Sequence, residues 1–327
     1  MMAEVTEETI GSASSLAAIA EALGHTGGLD RASLAFGFQL AGVLHPLVRG
    51  DTATQHDGWV ERLAAGEAFA APLLPARPGE GVTATRSDEG FVVSGTASVA
   101  SFGLRPDGLT VPVSAGEDSA DASTLLFLPL DQCPELEWKP ATRERLAPDS
   151  VALHGVSITQ DQVLFAKESG RDVTAHAQAI LCLCIQAIRI GLLRQLGDVA
   201  MHAARNATRR MKLTGRPPAR FQALTHPIAD FIVRCDATRL LVHEGARRLD
   251  QSDRVPTEAL LASFNMDTAL FSYAADLVDL QQHWCLAEAD DWGRILDVAT
   301  ALGRYTWSPV ELSEQICTSL REQPRPW

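Results

Sequence analysis

The sequence predicts an α+β protein with a shortened N-terminal helical part, a central antiparallel β domain and a C-terminal four-helix bundle. Two changes of texture predict it: helical periodicity gives way near residue 69 to short β-rich runs, and returns near residue 171 in much longer form. Size agrees. At 327 residues and 46% hydrophobic content the chain is long enough to bury several packed layers. The expected domains are 1–68, 69–170 and 171–327.

From Thr6 to about Ala65, SSLAAIAEAL, DRASLAFGFQLAGVLHPLV and DGWVERLAAG space apolar residues three or four apart, with Gly27-Gly28 as a break. These are the opening helices. Between Ala70 and about Lys167, GVTATR, GFVVSGTASVA, LTVPV, STLLFLPL, VALHGVSI and DQVLFA are separated by Pro, Gly and Asp, and read as antiparallel strands. SAGEDSADAS reads as an exposed strand connection. From Val173 onward three long helical stretches follow: AQAILCLCIQAIRIGLLRQLGDVAMHAARNA, FQALTHPIADFIVRCDATRLLVHEGARRL and EALLASFNMDTALFSYAADLVDLQQHW. A final helix starts at Ser308, Pro309 and Glu311, which stand at the N-cap, first and third helical positions of a capping box. Trp307 before the cap is placed to staple onto Leu312.

With 41 acidic and 28 basic residues the net charge is -13, and the cations are scattered rather than striped. That argues against nucleic acid and anionic membrane as partners. The six cysteines show no zinc spacing and suit a reducing compartment. Cys182 and Cys184, two apart in a helix, point about 200° from each other and read as core packing. No second ligand stands at helical spacing from His154, His176, His226 or His283, so no metal site is expected. The N-terminus has no basic region ahead of a long apolar run, and a cytoplasmic location is expected.

Several strings resemble the acyl-CoA dehydrogenases over most of the chain, from about Ser33 to the last helix. WVERLAAGEAFAAPLL (Trp59 to Leu74) is similar to the approach into that family's first β strand, and EGFVVSGTASVASFG (Glu89 to Gly103) to its "G-x-x-L-x-G-x-K-x-W-I-T-N-G" hairpin. ALHGVSITQDQVL looks like its last strands. RMKLTGRPPARFQALTHPIADF (Arg210 to Phe231) is similar to "R-x-x-F-G-x-P-I-x-x-F-Q-A-v-q-H-x-L-A-D-M", and LQQH (Leu280 to His283) to "L-Q-x-H-G-G". The resemblance implies the acyl-CoA dehydrogenase-like fold and FAD as cofactor. It also implies a chemistry in which a glutamate takes the α proton of an acyl-CoA while the flavin receives hydride from the β carbon.

Departures from the family pattern are as informative. Where the family has its base, in "Y-E-G-T-S-E-I", this chain reads GRYTWSPVEL, putting Thr306 or Trp307 at the glutamate. At the alternative position used by some relatives, near the start of the first long bundle helix, stand Leu181 and Cys182. None of these takes a proton from carbon, so no catalytic residue is assigned. Asp276 and Glu288 are carboxylates elsewhere with nothing to favour either as a substitute base.

In the family each FAD crosses a dimer interface, one subunit surrounding the isoalloxazine and its neighbour donating bundle residues. Here Leu73, Leu74 and Pro75 replace "L-T-E", and Val99 replaces the hairpin tryptophan. The donated half is better kept. Arg210 matches the arginine that meets the pyrophosphate, Gln222 and Gln281 match the interfacial glutamines, and Leu213 stands for the usual phenylalanine.

The expected function is therefore that of a non-catalytic subunit in a heteromeric FAD-dependent acyl-CoA dehydrogenase. It would share the FAD of a related catalytic subunit in an α2β2 heterotetramer, acting in lipid metabolism or steroid catabolism on a bulky or steroid-derived acyl-CoA thioester. Two alternatives stay open: a homodimeric tailoring enzyme on the same fold, performing oxygenation, elimination or cyclisation, and a flavin-free interaction protein.

Overall fold

The computed structural model describes residues 11–27, 30–49, 53–74, 81–88, 90–115, 123–141, 146–159, 162–165, 173–206, 212, 215–252, 255–284, 290–307 and 309–322. The opening helices are α1 (Ala13–Gly27), α2 (Arg31–Gln39), α3 (His45–Arg49) and α4 (Ala53–Ala65). Between α2 and α3 the helix continues as one π turn, Leu40–Leu44, all of it buried. The strands are β1 (Ala70–Pro72), β2 (Gly81–Ser87), β3 (Gly90–Val99), β4 (Gly108–Ala115), β5 (Ser123–Pro129), β6 (Leu136–Lys139), β7 (Asp149–Thr159) and β8 (Val163–Phe165).

The C-terminal helices are α5 (Val173–Asn206), α6 (Gln222–Leu249), α7 (Thr257–Asn265), α8 (Phe271–Trp284), α9 (Asp290–Leu302) and α10 (Pro309–Glu322). A second π turn, Met266–Leu270, joins α7 to α8, so the third long stretch is one helix with a bulge rather than a straight rod. Pro309 opens α10 as the capping-box reading expects, and Trp307 and Leu312 are both buried; Ser308 lies outside the described residues. Helix α9 is an element that the periodic reading does not single out.

The chain divides into two compact units. The first comprises residues 1–16, 35–184 and 246–255, and holds the whole sheet. Its eight strands run in the order β6-β7-β3-β2-β4-β5-β8, with β1 beside β4. The sheet is mainly antiparallel, as expected, but β1 and β2 both pair with β4 in parallel. Leu109, Val111, Val93, Val151 and Leu126 fill its core.

β4 serves two neighbours along one edge: β1 pairs with Gly108 to Thr110, and β2 with Ser114 and Ala115. Pro112 stands in the gap between them. It has no N–H to offer a ladder, so a break falls there at little cost.

A helix-interior proline leaves the carbonyl four residues back without its usual donor. Pro46 does this to Gly42, and the Gly42 carbonyl instead accepts from the Thr110 hydroxyl at 2.7 Å. This ties the π turn to β4. A Cβ on Gly42 would come within 2.6 Å of the Pro72 ring and 3.3 Å of Leu181, so glycine is what lets the helix come this close. Gln39, one residue before the π turn, is buried and accepts from the Ala70 amide at 3.0 Å. Asp250 caps α1, accepting from the Ala13 amide at 2.6 Å and from Ser12 and Ser14.

The second unit comprises residues 17–34, 185–245 and 256–327. Within it the backbones of α1 and α5 cross closely: a Cβ on Gly24 would collide with the Ile188 carbonyl, and one on Gly191 with the Glu21 carbonyl. By length and composition α5 is apolar enough to cross a membrane, yet 89% of its most apolar window is buried inside the fold. The helix is spent on packing.

Candidate functional site

The first unit contains a cavity of about 370 Å³. Its walls come from the π turn (Gly42), the end of β1 and the residues after it (Pro72, Leu73, Leu74), β2, β3, β4, β5 and the first turns of α5. Thr174, Ala177, Gln178 and Leu181 lie three, four and seven residues apart and so share one face of α5. The inner end, at Leu73, Leu74, Ala97, Thr110, Leu125 and Leu181, is buried, while Gly81 and Thr83 are exposed at the rim.

No lining residue among those described is ionisable. Leu181, expected with Cys182 at the alternative base position, lines the cavity with an apolar side chain. Cys182, one residue on, is fully buried. Burial also pushes the Cys184 thiol up to about 12, so it does not act as a thiolate near neutral pH. Thr306 and Trp307, at the other base position, are buried in the second unit. Asp276 is exposed on α8, and Glu288 lies outside the described residues.

A flavin edge needs donors for its carbonyls and ring nitrogens. Along the segment where the family's strings meet the isoalloxazine, the donors are already engaged. The Leu73 amide donates to the Thr110 carbonyl and the Leu74 amide to the Ser98 carbonyl, both at 2.9 Å. Leu73 also bridges to Val99, and both belong to the sheet core. Neither amide is free to meet the polar edge of an isoalloxazine.

The residues expected on the donated half lie in the second unit. Gln222 opens α6 and is exposed; Gln281 is 2% exposed near the end of α8. The ends of their helices meet. Phe221, beside Gln222, packs on Trp284, three residues past Gln281, with ring centroids 5.5 Å apart. Arg210 and Leu213 lie outside the described residues.

The second unit also gathers charges that the sequence does not associate. Glu21, 5% exposed on α1, lies 2.7 Å from Arg239 and 2.6 Å from His243 on α6, and pairs with Arg194 on α5. Burial alone would raise its carboxyl; hydrogen bonds from His243, Arg239 and Arg194, with the Arg239 charge, outweigh that and hold it at about 2. Arg189 on α5, 2% exposed, pairs with Asp267 of the second π turn at 2.6 Å and donates to the Ala299 carbonyl at 3.0 Å and to Gln186 at 2.9 Å. Its guanidinium also lies 4.6 Å from the Phe271 ring centroid. Both acids are matched by cations, which suits packing rather than proton abstraction. A signal for both clusters was present: Glu21 interrupts SSLAAIAEAL, and Gln186 and Arg189 interrupt ILCLCIQAIRIGLL, polar groups set in otherwise apolar helix faces.

Residues 168–299 match the family model for the acyl-CoA dehydrogenase C-terminal domain. Among solved structures, the chain is similar to PigA with FAD and proline (TM-score 0.80, 16% identity, covering 95% of this chain and 82% of that one). It is similar to the ChsE4-ChsE5 complex from Mycobacterium tuberculosis (TM-score 0.78, 18% identity, 97% and 84%). Butyryl-CoA dehydrogenase from Megasphaera elsdenii gives a TM-score of 0.74 at 16% identity, covering 94% and 80%. No curated protein matches the sequence.

Proposed function

We propose, from the premise that this chain has the acyl-CoA dehydrogenase fold, that it is the non-catalytic subunit of a heteromeric FAD-dependent acyl-CoA dehydrogenase. The observation that carries this reading is the cavity wall. Proton abstraction from the α carbon needs a carboxylate beside it, and a missing general base costs about 10² to 10⁴ in rate. The described wall offers no ionisable group, and Leu181, which we read with Cys182 at the alternative position, lines it.

What this chain retains is the other half of the site. The start of α6 and the end of α8, bearing Gln222 and Gln281, converge through Phe221 and Trp284. In our reading these helix ends, with Arg210 and Leu213, serve the FAD of a related catalytic subunit in a cytoplasmic α2β2 assembly acting on a bulky or steroid-derived acyl-CoA. The similarity to a two-component complex, ChsE4-ChsE5, supports a partner of the same fold.

The test is co-purification from the native host, followed by a flavin spectrum of the chain alone and of the complex. The complex is expected to carry flavin, and Arg210→Ala or Gln281→Leu to lower its retention about tenfold or more while the two subunits still co-purify. Stoichiometric FAD on the isolated chain, reduced by an acyl-CoA, overturns the reading.

A further inference from the structure

We infer that the cavity of the first unit is a binding site of this chain itself, for a neutral and mainly apolar small molecule carrying one hydrogen-bonding group. Size comes first. An apolar cavity of about 150 Å³ holds benzene, with six heavy atoms; about 370 Å³ is roughly 2.5 times that, room for about fifteen heavy atoms. This is within the range of ordinary ligand pockets.

Charge comes second. An ionised group brought here would lose its water and meet no counter-charge on the described wall, and uncompensated burial of a charge is strongly unfavourable. Anionic ligands are therefore selected against. Polarity comes third. Gln178, on the α5 face of the cavity, brings an amide to an otherwise mainly apolar wall. A single hydroxyl or carbonyl on the ligand, set against that amide, would be hydrogen-bonded there. The Thr110 hydroxyl, by contrast, is already engaged with Gly42.

This site is separate from the donated helix ends, and it is tested on the purified chain alone without any partner or flavin. Displacement of 1-aminoanthracene fluorescence, confirmed by calorimetry, compares decan-1-ol, decane, decanoate and riboflavin. Decan-1-ol is expected to bind at least tenfold tighter than decanoate, and riboflavin not to displace the probe. Gln178→Leu is expected to narrow the gap between decan-1-ol and decane while leaving decane binding intact. Leu181→Trp, or Ala177→Phe from the neighbouring turn, is expected to weaken decan-1-ol at least tenfold, with circular dichroism checking the fold of each. Decanoate binding as well as decan-1-ol, displacement by riboflavin, absence of saturable binding by any of the neutral ligands, or a folded filler variant that binds unchanged would each overturn the inference.

Discussion

Glu21 is one carboxylate in a helix of alanines and leucines, and its environment makes it an anchor. Replacing it by glutamine keeps the shape but leaves Arg194, Arg239 and His243 without their common anion. Glu21→Gln is expected to destabilise by about 2–4 kcal/mol in denaturant titration, since breaking a buried charge pair from one side is costly. The pH dependence follows from direction: a carboxyl held at about 2 in the folded chain against 4.5 when unfolded contributes stability fully present above 4.5. That contribution is lost as pH falls toward 2, so wild type and Glu21→Gln should converge across this window. Asp250, capping α1 from far along the chain, is expected to cost about 1–2 kcal/mol on change to alanine. In sequence terms Glu21 was visible as an oddity, but its partners stand some 170 to 220 residues away. No local pattern links them.

The elements that were legible are those with many repeats of their own period. β3 with ten residues and α5 with thirty-four show theirs plainly. β1, three residues long, and β6, four, are too short to display alternation, and they exist because β4 and β7 offer them edges. The two π turns were equally hidden, since each inserts one residue into a helix that otherwise keeps its pattern. Their consequences are testable. Gly42→Ala is expected to lose about 1–3 kcal/mol because the new methyl meets Pro72. Thr110→Val is expected to lose a similar amount by leaving the Gly42 carbonyl buried without a donor, read from urea midpoints at unchanged slope. For the helix ends, a double-mutant cycle on Phe221 and Trp284 should show a coupling of about 0.5–1.5 kcal/mol.

At the scale of the molecule, the fold was legible in the sequence and the cavity within it was not. The resemblance pointed to two positions for a base, Thr306 or Trp307 and Leu181 or Cys182, and the structure shows Leu181 on a cavity wall and the other three buried. It did not indicate that a cavity survives, because the wall is assembled from a π turn, five strands and a helix face that no single string contains. Nor could the sequence tell that the amides of Leu73 and Leu74 are engaged within the sheet.

The divided edge of β4 carries a further consequence. β1 and β2 follow one another in the chain, yet neither takes its register from the other: β1 is set by β4, and β2 by its full-length pairing with β3 and a short one with β4. The connection between them can then gain or lose residues without shifting any ladder. Leu73 and Leu74 at one end of that connection, and Gly81 to Thr83 at the other, border the cavity. Variation in length at this one connection would leave the strands in step, so lineages sharing this fold can diverge here long before they diverge in how they are built.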